Sequence, residues 1–210
     1  RLVAGVDFQW DIVHSSPDSI MYGDRQVNNY AVFAQDDIDL SRSITATLGA
    51  RYDWNHLVGG TTLEQLSPKA AVVWSARKDL ALRALFAQAF RAPTIAERFL
   101  QRELGGGIAF VPNPELNAEH IVDSEEVGVR WNPKPVFGLD AAAFRYHYED
   151  MIYWVLVGTN PVRYQVQNLN SATMSGVEAT LTSTLHALAL SANYTYLDAR
   201  DESPGRTDDK

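Results

Sequence analysis

Five histidines, a scatter of loop carboxylates and one run of arginines and glutamates are the groups in this 210-residue sequence that could do chemistry. His14, His56, His147 and His186 show neither i,i+4 nor clustered spacing, so they describe no metal site and read as solvated surface or lumen residues. Asp18, Asp24, Asp150, Asp198, Asp201, Glu202, Asp208 and Asp209 offer oxygens to Ca²⁺ only in principle, because no D-x-D-x-D-G loop gathers them. They read as solvated loop charge. Glu149 and Asp150 sit where a strand ends, with no assignable partner for acid–base work. No G-x-S-x-G elbow supports a Ser-His-Asp set, and cysteine is absent. Neither enzyme activity nor a metal or cofactor is expected.

The arginine run is more informative. Arg91, Glu97, Arg98, Arg102 and Glu103 lead into Gly105, Gly106 and Gly107. Glycine-rich connections commonly carry binding. The triple glycine is no phosphate loop, since no Lys-Ser/Thr follows it. With Arg145 from a later strand, Arg91, Glu97, Arg98, Arg102 and Glu103 form the candidate ligand-binding set, suited to an anionic ligand. For Arg91 the competing assignment is an ion pair with neighbouring carboxylates. The stretch TIAERFLQREL (94–104) could form a short helix with Ile95, Phe99 and Leu100 on one side.

Composition narrows the classes. Net charge is −8, which disfavours holding a phosphate backbone, so no nucleic-acid partner is expected. The hydrophobic fraction is 46% and the charged fraction 21%, as for a folded chain. No apolar run approaches the ~18 residues of a membrane helix.

Alternation supplies the elements that must position the candidate residues. Leu2, Ala4, Val6, Phe8, Trp10 and Ile12 oppose Gly5, Asp7, Gln9 and Asp11. The same period of two recurs over 44–54, 80–90 and 187–197, and more weakly over 29–40, 68–75, 124–131, 139–148 and 174–182. That predicts about nine strands. Short connections fall near 41–43, 75–79, 132–135 and 183–186. Long ones fall near 13–28, 55–67, 91–123 and 149–173. Tight turns on one side and long loops on the other predict an all-β, antiparallel up-and-down barrel in a membrane. Arg51, Asp53, Arg83, Glu126, Arg130, Arg145 and Glu178 fall on the face opposite the apolar one, where a wet lumen would take them. Aromatics near strand ends, including Trp10, Trp54, Trp74, Trp131, Tyr146 and Tyr148, fit the headgroup layer; the alternative is that they cap a soluble core.

FAQAFRAPTIAERF (86–99), NPELNAEH (113–120) and SEEVGVRW (124–131) stand in an order that resembles the barrel of a TonB-dependent outer-membrane receptor. YAVFAQDDIDL (30–40) with TATLGARYDW (45–54), NSATMSGVEATL (170–181) and LSANYTYLDA (190–199) resemble further strands of that family. Each motif is weak alone; the order gives them weight.

The resemblance implies bacterial outer-membrane localisation and uptake of a scarce ligand, with a ferric siderophore the expected one. Partners would be outer-membrane lipid, the ligand, and TonB acting through a plug domain. Barrels of this class have about 22 strands. No plug domain, TonB-contacting box or closing aromatic strand is found here. Residues 1–210 are therefore expected to be an internal part of one barrel domain, with plug and terminal strands absent. Haem receptors of the family place a ligating His between the FRAP and NPxL motifs. Residues 94–112 hold none, and His120 follows just after NPEL. Alternatives are a haem or cobalamin receptor, a passive outer-membrane channel, or a soluble β-protein with a binding role.

Overall fold

The computed structural model describes residues 1–16 and 21–202, and within this span the side chains of 169 and 170 are not described. Asp18, Asp208 and Asp209 lie outside the described residues. The chain forms β1 (Leu2–Val13), β2 (Arg25–Asp39), β3 (Ile44–Leu57), β4 (Thr62–Arg77) and β5 (Leu80–Arg91). A helix α1 (Ile95–Phe99) and two short strands, β6 (Arg102–Leu104) and β7 (Ile108–Val111), follow. Then come β8 (Glu119–Lys134), β9 (Phe137–Thr159), β10 (Val162–Leu185) and β11 (Leu188–Asp201). All eleven strands join one sheet. The long strands pair antiparallel in sequence order, with β8 following directly on β5. β11 pairs with β10, and β7 pairs with β10 in parallel.

Register fixes the two faces, because paired residues share a side. Phe8, Tyr30 and Trp54 form one row, and Val6, Val32 and Tyr52 the next. On the far hairpins the same face carries Phe86, Val127, Ala143 and Val177. Phe8 and Trp10 are each 65% exposed, and Val6 and Val127 60%. An apolar face this extensive has no packing partner in water, and hydrocarbon is the solvent that suits it.

Two aromatic rims bound the band. Trp10, Tyr30 and Trp54 lie toward the long connections, and Trp74 and Trp131 toward the tight turns. Ile44 sits opposite Trp74 and lies ten residues from Trp54 along β3. At ~3.3 Å per residue and a tilt of ~40°, that spacing is ~25 Å along the membrane normal, the height of a bilayer's apolar band.

Three sequence expectations need correction. The connections near 55–67 and 149–173 are not long loops: β3 and β4 meet through residues 58–61, and β9 and β10 through 160–161. Above the membrane these strands simply continue, without a lipid face to impose alternation. The nine expected strands are present, and β6 and β7 add to them inside the segment read as loop. The third correction concerns β9. Phe144 pairs with Glu126 and Gly176, on the inner face, while Arg145 pairs with Glu125 and Ser175 on the outer one. The bulky residues Phe144, Tyr146 and Tyr148 thus line the lumen, and small Ala141 and Ala143 face outward.

The buried core lies at the long-connection end. Val27, Leu57 and Ile95 form one cluster with Val13, Tyr22 and Phe99 against it, and Leu116, Ile152 and Val166 form another.

Candidate functional site at the barrel mouth

The segment from Ala92 to Ala118 folds inward against the barrel wall. Pro93, which cannot donate to a ladder, ends β5. Thr94 then starts α1 through a capping box: its Oγ1 accepts from Glu97 N at 3.2 Å, and Glu97 Oε2 accepts from Thr94 N at 2.8 Å. The same carboxylate accepts from Arg91 Nη1 at 2.9 Å. Arg91 Nη2 donates to Glu119 at 3.1 Å, and Glu119 also accepts from Ile152 N at 2.9 Å. Burial pushes the Glu97 carboxyl up, but Arg91 and Thr94 outweigh it and hold it below the usual range. Arg91 therefore spends its charge on two carboxylates, the second of the two assignments open from sequence.

Arg98 is committed to structural contacts. It is 2% exposed. Its Nη1 donates to Thr61 Oγ1 at 3.2 Å and its Nη2 to Leu116 O at 3.1 Å, while Nε has no partner among the described residues. Burial pushes the guanidinium downward, with Glu115 opposing. Arg98 pins α1 to the β3–β4 turn on one side and to the NPEL segment on the other. Its own carbonyl accepts from Asn113 N at 2.8 Å.

Further bonds fix the rest of the segment. Asn113 Nδ2 donates to Val166 O at 2.9 Å, and Gln165 Nε2 to Pro112 O at 3.0 Å. Asn168 accepts from Asn117 N at 3.0 Å. Met21 and Gln101 exchange two backbone bonds of 2.7 Å, tying in the β1–β2 connection. The helix proposed over 94–104 stops at Phe99, because Leu100 leaves the helical conformation and the chain extends into β6.

What remains exposed is the β6–β7 hairpin, turned at Gly106 and Gly107 with φ of 84° and 79°. Arg102 pairs with Phe110, Phe110 with Tyr164, and Tyr164 with Leu156, so one row crosses four strands on one face. Phe110 meets Trp154 edge-on at 5.2 Å and lies 6.1 Å from Tyr164. Trp154 pairs with buried Val166, which places this face toward the mouth. Arg102 and Glu103 are exposed, and their side chains make no hydrogen bond or ion pair among the described residues. A guanidinium that shares a face with three rings suits an anionic, aromatic ligand.

Below the mouth, the inner wall is charged and internally paired. Arg83 bridges Glu126 and Asp140 at 2.8 Å each, and Arg130 reaches Asp140 at 2.9 Å. Arg51 joins Asp7 and Asp53. Beside it a cavity of about 710 Å³ is lined by Arg51, Phe33, Lys69 and Gln88 among others. No group of three metal-binding side chains occurs among the described residues. His120 stands on the outer face, its ring 6.4 Å from Phe90.

Of the six candidates, the structure joins Arg91 and Glu97, buries Arg98, exposes Arg102 and Glu103 on one hairpin, and turns Arg145 outward beside Glu125. Phe110, Trp154 and Tyr164 were absent from the candidate set. Two turn-bounded apolar runs, IAFV (108–111) and MIYWVLV (151–157), were the available signal.

A family model described as TonB dependent receptor-like, beta-barrel, matches residues 2–210. The heme/hemopexin utilization protein C of Haemophilus influenzae is 27% identical, over 77% of this chain and 24% of its own length. The siderophore receptor PirA of Pseudomonas aeruginosa superposes with a TM-score of 0.82 at 22% identity, covering 96% of this chain and 40% of that one. The ferric enterobactin receptor PfeA of the same species, as its R480A mutant with enterobactin, gives 0.74 at 22% identity, covering 93% and 33%. The chain thus spans between a quarter and two fifths of these relatives.

Proposed function

The chain belongs to the TonB-dependent receptor β-barrel family, in the outer membrane of Gram-negative bacteria, and from that premise we propose that the protein carrying it takes up a ferric siderophore. Residues 1–210 would supply an inner part of one barrel domain. A plug elsewhere in the protein would fill the lumen and pass TonB's energy to ligand release. The chain itself would contribute capture at the mouth and lining of the passage, with no catalytic step.

The observation that carries this reading is the Arg102–Phe110–Tyr164 row with Trp154 beside it, facing the mouth. Ferric siderophores of the catecholate type present anionic aromatic rings. Rings on the wall can stack or meet them edge-on, and an unpaired guanidinium adds a charge-assisted hydrogen bond. A passive channel has less use for such a row than for an open mouth.

Haem is the second reading, favoured by the haem-utilization relative. His120 does not support it, since its ring lies on the outer face against Phe90. A haem site would need an axial ligand from another part of the protein.

The test uses the full-length protein in detergent, titrated with ferric enterobactin and with haemin. Residues 102–110 are replaced by a short glycine–serine link, leaving Arg98 and Asn113 in place. Ferric enterobactin binding is expected to weaken at least tenfold, and R102Q alone to weaken it severalfold. Unchanged affinity in both variants would refute capture by this hairpin. Tight binding of haemin only would transfer the assignment to haem.

A further inference from the structure

On the tight-turn side the apolar band ends at Trp74 and Trp131. Each is followed three residues later by a cation, in WSARKD (74–79) and WNPKPV (131–136). In a regular strand a residue three positions on points to the opposite face. Here both ladders carry a bulge, between Trp74 and Arg77 and between Trp131 and Lys134. The extra residue returns each cation to the outer side. Register bears this out: Arg77 pairs with Leu80, which pairs with Trp131, and Lys134 pairs with Phe137. The two hairpins are adjacent through β5 and β8, so the cations flank one stretch of rim.

A groove of about 350 Å³ opens there, lined by Asn132, Lys134, Phe137, Thr182, Ser183 and Thr184 among others. Ser183 pairs with Phe137, so its hydroxyl shares the outer side with Lys134, whereas Thr182 and the Asn132 amide stand with Gly138 on the lumen side. Lys134 is exposed and makes no ion pair among the described residues. Arg77 touches Asp79 through Nε at 3.5 Å and stays 61% exposed. Toward the band, Trp131 meets Phe137 edge-on at 5.9 Å. The Trp131 indole N–H has no acceptor among the described residues.

We propose that this rim is a binding site for the headgroup of an anionic phospholipid in the periplasmic leaflet. Lys134 takes the phosphate, with the Ser183 hydroxyl beside it on the outer side. Arg77 closes on it from the neighbouring hairpin. Trp74, Trp131 and Phe137 lie along the glycerol and upper acyl region, where amphipathic rings settle. The orientation follows from tight turns facing the periplasm. The site depends on that orientation and not on the ligand captured at the other end, so its failure leaves the uptake reading untouched.

The test uses the full-length protein, exchanged into an equimolar mixture of phosphatidylglycerol and phosphatidylethanolamine and examined by native mass spectrometry. The wild type is expected to retain phosphatidylglycerol preferentially. R77Q/K134Q is expected to lose that preference, about fivefold for each cation removed. R42Q removes a cation from a tight turn with neither Trp nor bulge, and is expected to keep it. Equal retention by wild type and R77Q/K134Q, or an equal loss in R42Q, would overturn the site in favour of none or of diffuse surface charge. Displacement of the lipid by millimolar inorganic phosphate would make it a bare anion site and overturn the lipid assignment. If R77Q/K134Q fails to assemble, judged by heat-modifiable migration, K134Q alone gives the same readout at an exposed turn position.

Discussion

Replacing Arg98 by alanine is expected to loosen the whole segment at the barrel mouth while leaving the barrel intact. The side chain donates to Thr61 Oγ1 and to Leu116 O, and it is 2% exposed, so water does not replace it. Hydrogen bonds from a charged donor contribute ~1.5–3 kcal/mol each, which gives ~3–6 kcal/mol for two. Against this stands the relief of removing a buried cation with no carboxylate bound to it, on the order of 1–2 kcal/mol. The net loss is ~2–4 kcal/mol, or a ~30- to 1,000-fold rise in the opening equilibrium. The assay is amide hydrogen exchange on the full-length protein in detergent. Protection should fall by that factor over 94–101 and 112–118 and stay unchanged over 44–54. R98M keeps the apolar stem and loses only the donors, so its effect should be smaller. If R98A exchanges within about threefold of wild type over 94–118, the pinning argument is wrong.

Two further outcomes follow from the charged pairs. The Glu97 pKa is held below its ordinary value of about 4.3, so its tie to Arg91 and Thr94 is fully present above that pH and is lost as pH falls through the lower folded value. Exchange over 94–101 should stay slow from pH 7 to below 4 and then rise, whereas E97Q should show a raised rate with no such acid step; a rise beginning above pH 5 would contradict the sign. At Gly128 a Cβ would stand 2.6–2.9 Å from the Arg83 guanidinium, which crosses that glycine to reach Glu126 and Asp140. G128A should displace it and lower urea stability in lipid vesicles by ~0.5–2 kcal/mol, since the two pairs are only partly buried. In an R83Q background the same change should cost almost nothing, and full additivity would exclude the coupling.

The membrane-crossing part of this fold was legible because lipid on one side and water on the other force a period of two. Leu2 to Ile12 and Ile44 to Trp54 obey it and were placed correctly, within three residues at each end. Where the same strands rise above the membrane that asymmetry ends. MIYWVLV (151–157) is apolar on both parities, since Ile152 packs against Leu116 while Tyr153 and Val157 stand exposed. Nothing in its spacing separates a strand from a loop, so local pattern does not reveal the β9–β10 hairpin. The β6–β7 pair is shorter still, and its pairing with β10 is a tertiary contact that no local pattern announces.

Side-chain size is a poor guide to the lipid side. Phe144, Tyr146 and Tyr148 look like a lipid-facing stripe, with Arg145 and His147 as its polar complement. Yet lipid adapts to alanine as readily as to phenylalanine, whereas the lumen wall must be built from rings that lie on something. Phe144 lies on Gly176, where a Cβ would come within 2.7 Å of the ring, and Phe33 covers Gly5 at 2.6 Å in the same manner. A large aromatic opposite a glycine on the neighbouring strand is therefore the better signature of the inner face. The partner of Arg145 carries the same lesson from the other side. Arg145 faces outward, with Glu125 and Ser175 opposite it on the neighbouring strands. Arg98 erred in the opposite sense, since a charged side chain in a polar segment suggests exposure. Only the Thr94–Glu97 capping pair with Ile95 and Phe99 hinted that a helix would press its arginine against the wall. The proposed ligand face rests on these placements: with Arg91, Glu97 and Arg98 engaged in structural contacts, Arg102 and the rings on its face are the groups offered for capture.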